Sequence, residues 1–155
     1  MKNIIKKKDG FQGQKAIVIP KQVLNNKCVN NTVINPLYIT DIGYYPKAKF
    51  HYMERTNGAE QHILIYCHDG KGDVTIDNKE YKIEADDFIT IPINTPHSYS
   101  ADENEPWSIF WVHFKGTVSE KLVSSLEKKT GLKGFIKFKD ESIQLFNEIY
   151  NQLER

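Results

Sequence analysis

The chain has 155 residues, a net charge of +1 and a hydrophobic content of 39%, which suits one globular domain. A near-neutral charge argues against a dedicated nucleic-acid binder, which usually carries a clustered basic face. Residues 1–9 lack the apolar core of a signal peptide, and no apolar run reaches the roughly 20 residues that span a membrane. We therefore expect a cytoplasmic domain that does not associate with a membrane.

The chain begins with a segment that we predict to be irregular, residues 1–36, and continues with a β-rich region over residues 37–116. Asn57-Gly58 and Asp69-Gly70 separate short apolar runs and favour turns, because these pairs tolerate positive φ. Eight short antiparallel strands spaced in this way predict a sandwich or a small barrel. The predicted strands are Leu37–Ile42, Lys49–Arg55, His62–Cys67, Gly72–Ile76, Tyr81–Ile83, Phe88–Ile91, His97–Ser100 and Trp107–Phe114.

The period of the apolar residues becomes helical after Gly116. Thr117 and Glu120 have the spacing of a capping box, which predicts a helix that Gly131 ends. Gly134–Phe138 is ambiguous. Asp140 is predicted to cap a second helix with one apolar face. That face consists of Ile143, Phe146, Ile149, Tyr150 and Leu153.

We predict that residues 117–155 form a helical dimerisation region and that the chain is a homodimer. The second helix has a wide apolar face, of which a part can meet a partner. The alternative is that both helices only cover the barrel. The amphipathic pattern still runs at Arg155, so we expect more chain beyond it in the natural protein; the alternative is a natural end at which the helix frays.

A ligand pocket is predicted from the alternation of side chains along strands. A barrel of eight strands has an interior just large enough for one small ligand. Arginine and histidine can bond hydroxyl groups and a tryptophan face suits the C–H side of a sugar, so we expect a small-molecule effector, most simply a carbohydrate. Each residue could instead have a purely structural role. The predicted ligand-binding residues are Arg55, His97, Tyr99, Trp111, Ile109, Met53 and His51.

Three segments carry a family resemblance: residues 43–72, IPINTPHSY (91–99) and WSIFWVHF (107–114). They resemble the N-terminal effector-binding, arabinose-binding-like and dimerisation domain of AraC-type transcription regulators. The resemblance implies a mainly β fold, a cupin-like (double-stranded β-helix or jelly-roll) barrel followed by two C-terminal α-helices. It also implies DNA binding only through a separate C-terminal helix-turn-helix domain, for which residues 132–155 are too few.

The resemblance also implies which residues contact the effector. Arg55, His97, Tyr99 and Trp111 match by position the residues that contact sugar in the arabinose-responsive member. Ile109 stands where that member has a polar residue, so arabinose itself is not implied.

The alternative function is a metal-dependent cupin enzyme of sugar metabolism. Such enzymes resemble one another in a His-x-His pair, whereas this chain has His62 and His68 on one strand, about 20 Å apart. Metal–nitrogen bonds are near 2.0–2.1 Å, so these two cannot share an ion. His97 and His113 form at most a partial site. We expect no catalytic residue, metal or cofactor. A third possibility is a dimerisation module whose barrel is filled by its own side chains.

Overall fold

The computed structural model describes residues 5–136 and 139–154. Within these residues the fold has ten strands and three α-helices, and a π-helical turn, Asn25–Val29, follows the first helix. The strands are β1 (Lys15–Val18), β2 (Tyr38–Tyr45), β3 (Tyr52–Arg55), β4 (His62–Asp69), β5 (Gly72–Ile76), β6 (Lys79–Ile83), β7 (Asp87–Ile91), β8 (His97–Ala101), β9 (Ser108–Lys115) and β10 (Lys133–Phe135). The helices are α1 (Lys21–Leu24), α2 (Ser119–Thr130) and α3 (Lys139–Glu154).

Two antiparallel sheets form a sandwich. The larger has the order β1-β2-β9-β4-β7-β10 and the smaller has the order β3-β8-β5-β6. Branched and aromatic side chains from alternate strand positions fill the space between them, as expected for half-buried strands. The prediction of a mainly β fold followed by two C-terminal helices is confirmed. Core residues include Ile63, Ile65, Val74, Ile76, Ile89, Ile91, Trp107 and Ile109.

Each predicted strand has a counterpart, and the ends differ where the backbone leaves the extended region. Lys47 and Phe50 have φ of 40° and 66°, so the predicted strand Lys49–Arg55 begins only at Tyr52. In the other direction, β2 continues three residues past the predicted Ile42, because it pairs with β9 as far as Tyr45.

The N-terminal segment is more regular than predicted. β1 pairs with β2 at the edge of the larger sheet, so the prediction that residues 1–36 are irregular is wrong for this part. The four residues of β1 are too few to give a recognisable strand pattern in the sequence. β1 forms because the edge of β2 offers it hydrogen-bond partners. Before β1, the backbone of Lys7 bonds to Phe50 and Tyr52. This places the segment against one end of the barrel.

The predicted capping of both C-terminal helices is wrong. The N-cap of α2 is Val118 and carries no side-chain cap bond, because the backbone N–H groups of Thr117 and Val118 donate to the carbonyls of Asn35 and Pro36. The loop before β2 therefore supplies the acceptor for the N–H of the N-cap, which in a capping box would come from Glu120. Asp140 lies inside the first turn of α3, where a carboxylate still suits the helix dipole.

In the segment Gly134–Phe138, which was ambiguous in the sequence, the structure has the strand β10, Lys133–Phe135, paired with β7. Residues 137 and 138 lie outside the described residues.

Helices α2 and α3 cover the outer face of the larger sheet. The ring of Phe146 lies 4.9 Å from that of Phe110, and Leu153 lines a groove with Val112 and Phe114. Both faces of β9 are therefore covered, as its two apolar faces predict. Within residues 5–136 and 139–154, no helix is long and apolar enough to cross a membrane.

Candidate functional site

A small cavity of about 50 Å³ lies between the two sheets. It offers room for a few water molecules, so a larger ligand must displace some of the lining side chains. Lys8, in the N-terminal segment, is one of these and is exposed. The lining consists of Lys8, Tyr45, His51, Met53, Arg55, Ile65, Tyr99, Ile109, Trp111 and His113.

The pairing of β3 with β8 places Arg55 opposite His97 and Met53 opposite Tyr99. One guanidinium nitrogen, Nη1 of Arg55, lies 3.0 Å from Nε2 of His97 and donates to the hydroxyl of Tyr99 at 3.2 Å. Nδ1 of His97 lies 2.8 Å from the carbonyl of Thr95 and donates to it, so Nε2 is the acceptor. Burial, with Arg55 adding to it, lowers the pKa of His97, so this ring is neutral and orients the guanidinium.

Two further histidines in the lining are uncharged at neutral pH. Nε1 of Trp107 donates to Nδ1 of His51 at 3.1 Å, so Nε2 of His51 carries the proton. Burial, assisted by Arg55, lowers the pKa of His51 to about 4. Burial also lowers the pKa of His113 to about 4, against the opposing effect of Asp41. The 3.7 Å contact between His113 and Asp41 is therefore not an ion pair at neutral pH.

Trp111 forms a wall of the cavity because the residue opposite it in β2 is a glycine. A Cβ on Gly43 would lie 2.4 Å from Cζ2 of the indole, so a side chain there would push the ring away. Trp111 is 8% exposed, and its Nε1 is buried without a hydrogen-bond partner. A buried N–H donor without an acceptor costs free energy, and an acceptor on a ligand would remove that cost.

Six of the seven predicted ligand-binding residues line the cavity: His51, Met53, Arg55, Tyr99, Ile109 and Trp111. His97 does not. It is 5% exposed, lies behind Arg55, and lines a separate surface depression with Glu54 and Pro96. His97 therefore contacts the guanidinium of Arg55 rather than the cavity.

Four lining residues were not among the predicted set. His113 shares a strand face with Ile109 and Trp111, and alternation along β4 points Ile65 inward, so the strand period could have found both. Tyr45 lies past the predicted end of its strand. Lys8 comes from a segment that has no local signal for the cavity.

The predicted dimerisation residues Ile143, Phe146, Ile149, Tyr150 and Leu153 are all half-buried in the single chain. Phe146 and Leu153 contact the outer face of the chain's own sheet. More exposed apolar side chains lie elsewhere on the same helices: Val118 just before α2, Leu122 on α2 and Leu145 on α3 are 45%, 49% and 58% exposed.

The donor set for a metal ion is sparse. In the described part of the chain, no three His, Cys, Asp or Glu side chains lie close enough together to hold a metal ion. Nδ1 of His62 accepts the backbone N–H of Ile93 at 2.9 Å, so this nitrogen is already used.

Comparison with known proteins finds one matching family and several regulatory proteins of similar sequence. The model of a family described as the AraC-like ligand binding domain matches residues 43–155. The MmsAB operon regulatory protein of Pseudomonas aeruginosa is 34% identical over 102 residues, which are 63% of this chain and 33% of that protein. The raffinose operon transcriptional regulatory protein RafR of Pediococcus pentosaceus is 30% identical over 63 residues, 40% of this chain and 23% of that protein. The chain thus spans a third or less of these relatives' length.

Among solved structures, a cupin 2 conserved barrel domain protein from Leptotrichia buccalis is similar. It has a TM-score of 0.43 and 18% identity, and the match covers 69% of this chain and 43% of that one.

Proposed function

The chain belongs to the family of AraC-like ligand binding domains, and on this basis we propose that a small-molecule effector bound in the barrel cavity controls DNA binding by a domain outside this chain. The chain is a ligand-sensing domain of a transcription regulator. Two of its relatives support this, because one is named an operon regulatory protein and the other an operon transcriptional regulatory protein. The DNA-binding domain would belong to the part of the relatives that this chain does not match.

The observation that carries the proposal is the buried, unpartnered Nε1 of Trp111, a residue that lines the same cavity as Arg55 with its oriented guanidinium. A few directed polar groups on an otherwise apolar wall are typical of small-molecule sites. The sequence-based expectation of a carbohydrate-like effector is compatible with this wall, and RafR is named for a sugar operon. In a barrel that binds no ligand, the buried N–H of Trp111 would have no acceptor to offset its cost in free energy.

The test is a thermal-shift screen of sugars and sugar derivatives, repeated on Trp111→Phe. A ligand at 100 times its dissociation constant stabilises a protein by about 2.7 kcal/mol. Trp111→Phe removes the N–H donor and should abolish most of that shift. The control is Tyr44→Phe, which removes a hydroxyl from the outer face, where Tyr44 stacks on Phe110. A shift that survives Trp111→Phe unchanged would place the effector elsewhere.

We further propose that the domain acts as a cytoplasmic homodimer and catalyses no reaction. Pairing allows two linked DNA-binding domains to gain effective concentration on adjacent half-sites, and ligand binding can shift how they are held. The exposed apolar side chains on α2 and α3 support an interface on this side of the molecule. The regulator names of the relatives support a sensor rather than an enzyme.

A further inference from the structure

The charged side chains in the described lining of the cavity are all cationic, whereas the carboxylates of Asp9 and Asp41 lie outside the lining and act on Tyr45 and His113. Two cationic side chains, Arg55 and Lys8, line the cavity, and no carboxylate does. His51 and His113 add no charge at neutral pH because burial lowers the pKa of each to about 4. Burial raises the pKa of Tyr45 to about 12, so this phenol is neutral as well.

Arg55 has only neutral partners. Its Nη1 interacts with the ring of His97 and the hydroxyl of Tyr99, and none of the ion pairs among the described residues includes it. Glu54 is adjacent in sequence, but its carboxylate accepts the hydroxyl of Tyr52 at 2.7 Å on the other side of β3. A half-buried guanidinium normally pairs with a planar anion in a bidentate manner. The partner that would complete this pairing is missing from the cavity wall.

Hydrogen-bond donors outnumber the acceptors in the described lining. Nε1 of Trp111, Nε2 of His51 and the guanidinium of Arg55 are donors. The described lining contains no Asp, Glu, Asn or Gln, so its acceptors are the hydroxyls of Tyr45 and Tyr99 and one ring nitrogen of neutral His113, and the Tyr99 hydroxyl already accepts a bond from Arg55. A neutral sugar brings several hydroxyl donors, which would find few acceptors here. A carboxylate only accepts, and therefore matches this wall.

From this arrangement we propose that the effector is a small organic acid, a hydroxy acid or sugar acid, whose carboxylate is bound by Arg55 and Nε1 of Trp111, with Lys8 adding positive charge. The inference rests on the proposed function, because it names the chemical class of the effector for the same cavity. The proposed effector is therefore an acid, in place of the neutral sugar expected from the sequence. The small volume of the cavity favours short acids.

The test compares matched pairs that differ only in the acid group: glycerate against glycerol, and gluconate against glucitol, at equal ionic strength. Glycerol 3-phosphate tests a phosphate in place of the carboxylate. The readouts are the melting temperature and the indole N–H signals of the ¹⁵N-labelled chain. The protein has two tryptophans. The other indole signal belongs to Trp107, whose N–H is bonded to His51 of the cavity lining.

We expect at least one acid to raise the melting temperature and to move the Trp111 indole signal, while its neutral partner does neither. Arg55→Gln should weaken binding of that acid roughly tenfold to a hundredfold, as for the loss of a charged hydrogen-bond partner. Arg55→Lys keeps the charge but loses the planar fork and should restore binding only in part. Lys8→Gln should weaken binding less than Arg55→Gln does. Lys128→Gln, on the exposed face of α2, is the control for loss of one positive charge.

Failure of this inference can be separated from failure of the proposed function. If neutral polyols move the Trp111 signal as well as the acids do, the acid inference is overturned and the sensor function stands. If glycerol 3-phosphate binds and glycerate does not, the carboxylate is the wrong anion. If no acid moves the signal, or Arg55→Gln binds the acid as tightly as the native chain, the inference is also overturned. The dispersion of the backbone amide signals of the ¹⁵N-labelled Arg55→Gln chain shows whether it is folded.

Discussion

Gly43→Ala is the substitution that tests most directly how the wall of the cavity is built. Gly43 lies in β2 between Ala16 of β1 and Trp111 of β9. An added Cβ would lie 2.4 and 2.5 Å from two indole carbons and 2.7 Å from the backbone oxygen of Lys15. Since carbon atoms normally approach to about 3.5–4.0 Å, the ring must move by roughly 1 Å.

The direction of that movement follows from the surroundings. The carbonyl of Lys15 belongs to a paired strand and moves little, whereas the indole borders the cavity of about 50 Å³. The ring should therefore move into the cavity and occupy ligand space. Overpacking of this kind typically costs about 1–3 kcal/mol. For a domain of this size, that corresponds to a fall in melting temperature of roughly 2–12 °C.

Urea unfolding of a double-mutant cycle measures the clash itself. Trp111→Phe removes the six-membered part of the indole, so it should cost at least about 1 kcal/mol less in the Gly43→Ala background than in the native chain. Gly134→Ala is the matched control. Its Cβ would meet the ring of Phe88 at 2.3 Å in the edge strand β10, away from the cavity. It should destabilise the fold but leave the Trp111 indole signal unchanged.

The reasoning would be refuted by a Gly43→Ala chain whose unfolding free energy lies within about 0.5 kcal/mol of the native value, the range of ordinary surface changes. A coupling energy of zero with Trp111→Phe would refute it as well, because it would show that the indole is not what the new methyl group meets.

Three further predictions concern pH, assembly and metal content. The pKa of His51 is lowered to about 4 from an ordinary value of 6.5, so stability is complete above pH 6.5 and falls as the pH drops from 6.5 towards 4, by up to about 3 kcal/mol. Urea midpoints should show this fall and His51→Gln should reduce it; a midpoint independent of pH over this window would contradict it. Sedimentation over a concentration series should show a monomer–dimer equilibrium that Ile149→Glu shifts towards monomer, and disruption by Leu122→Glu alone would move the interface to α2. Elemental analysis of protein purified without a metal-affinity tag should find far less than one metal ion per chain, and a stoichiometric ion would favour the enzyme alternative.

The sequence alone was sufficient for eight of the ten strands in the described residues and for most of the cavity wall. Alternation of apolar side chains placed Ile109 and Trp111 on one face of β9 and Met53 and Arg55 on one face of β3. These are local regularities, because successive side chains of a strand point to opposite faces of the sheet, so the position of a residue along the strand is enough to tell its face. The helical period after Gly116 is local in the same sense, and it predicted α2 and α3 but not how they are capped.

Only the tertiary structure decided which groups meet. The register of β3 on β8 places His97 behind Arg55 rather than in the cavity. The pairing of β2 with β9 places Gly43 opposite Trp111, where the absence of a side chain leaves room for the indole ring. β1 forms because the edge of β2 is available to it, and the caps of α2 come from a loop some 80 residues earlier in the chain. Each of these depends on partners distant in sequence, whose hydrogen bonds and contacts no local pattern specifies. The charge of Arg55 is a property of the same kind, since only the folded arrangement shows that none of the ion pairs among the described residues includes it.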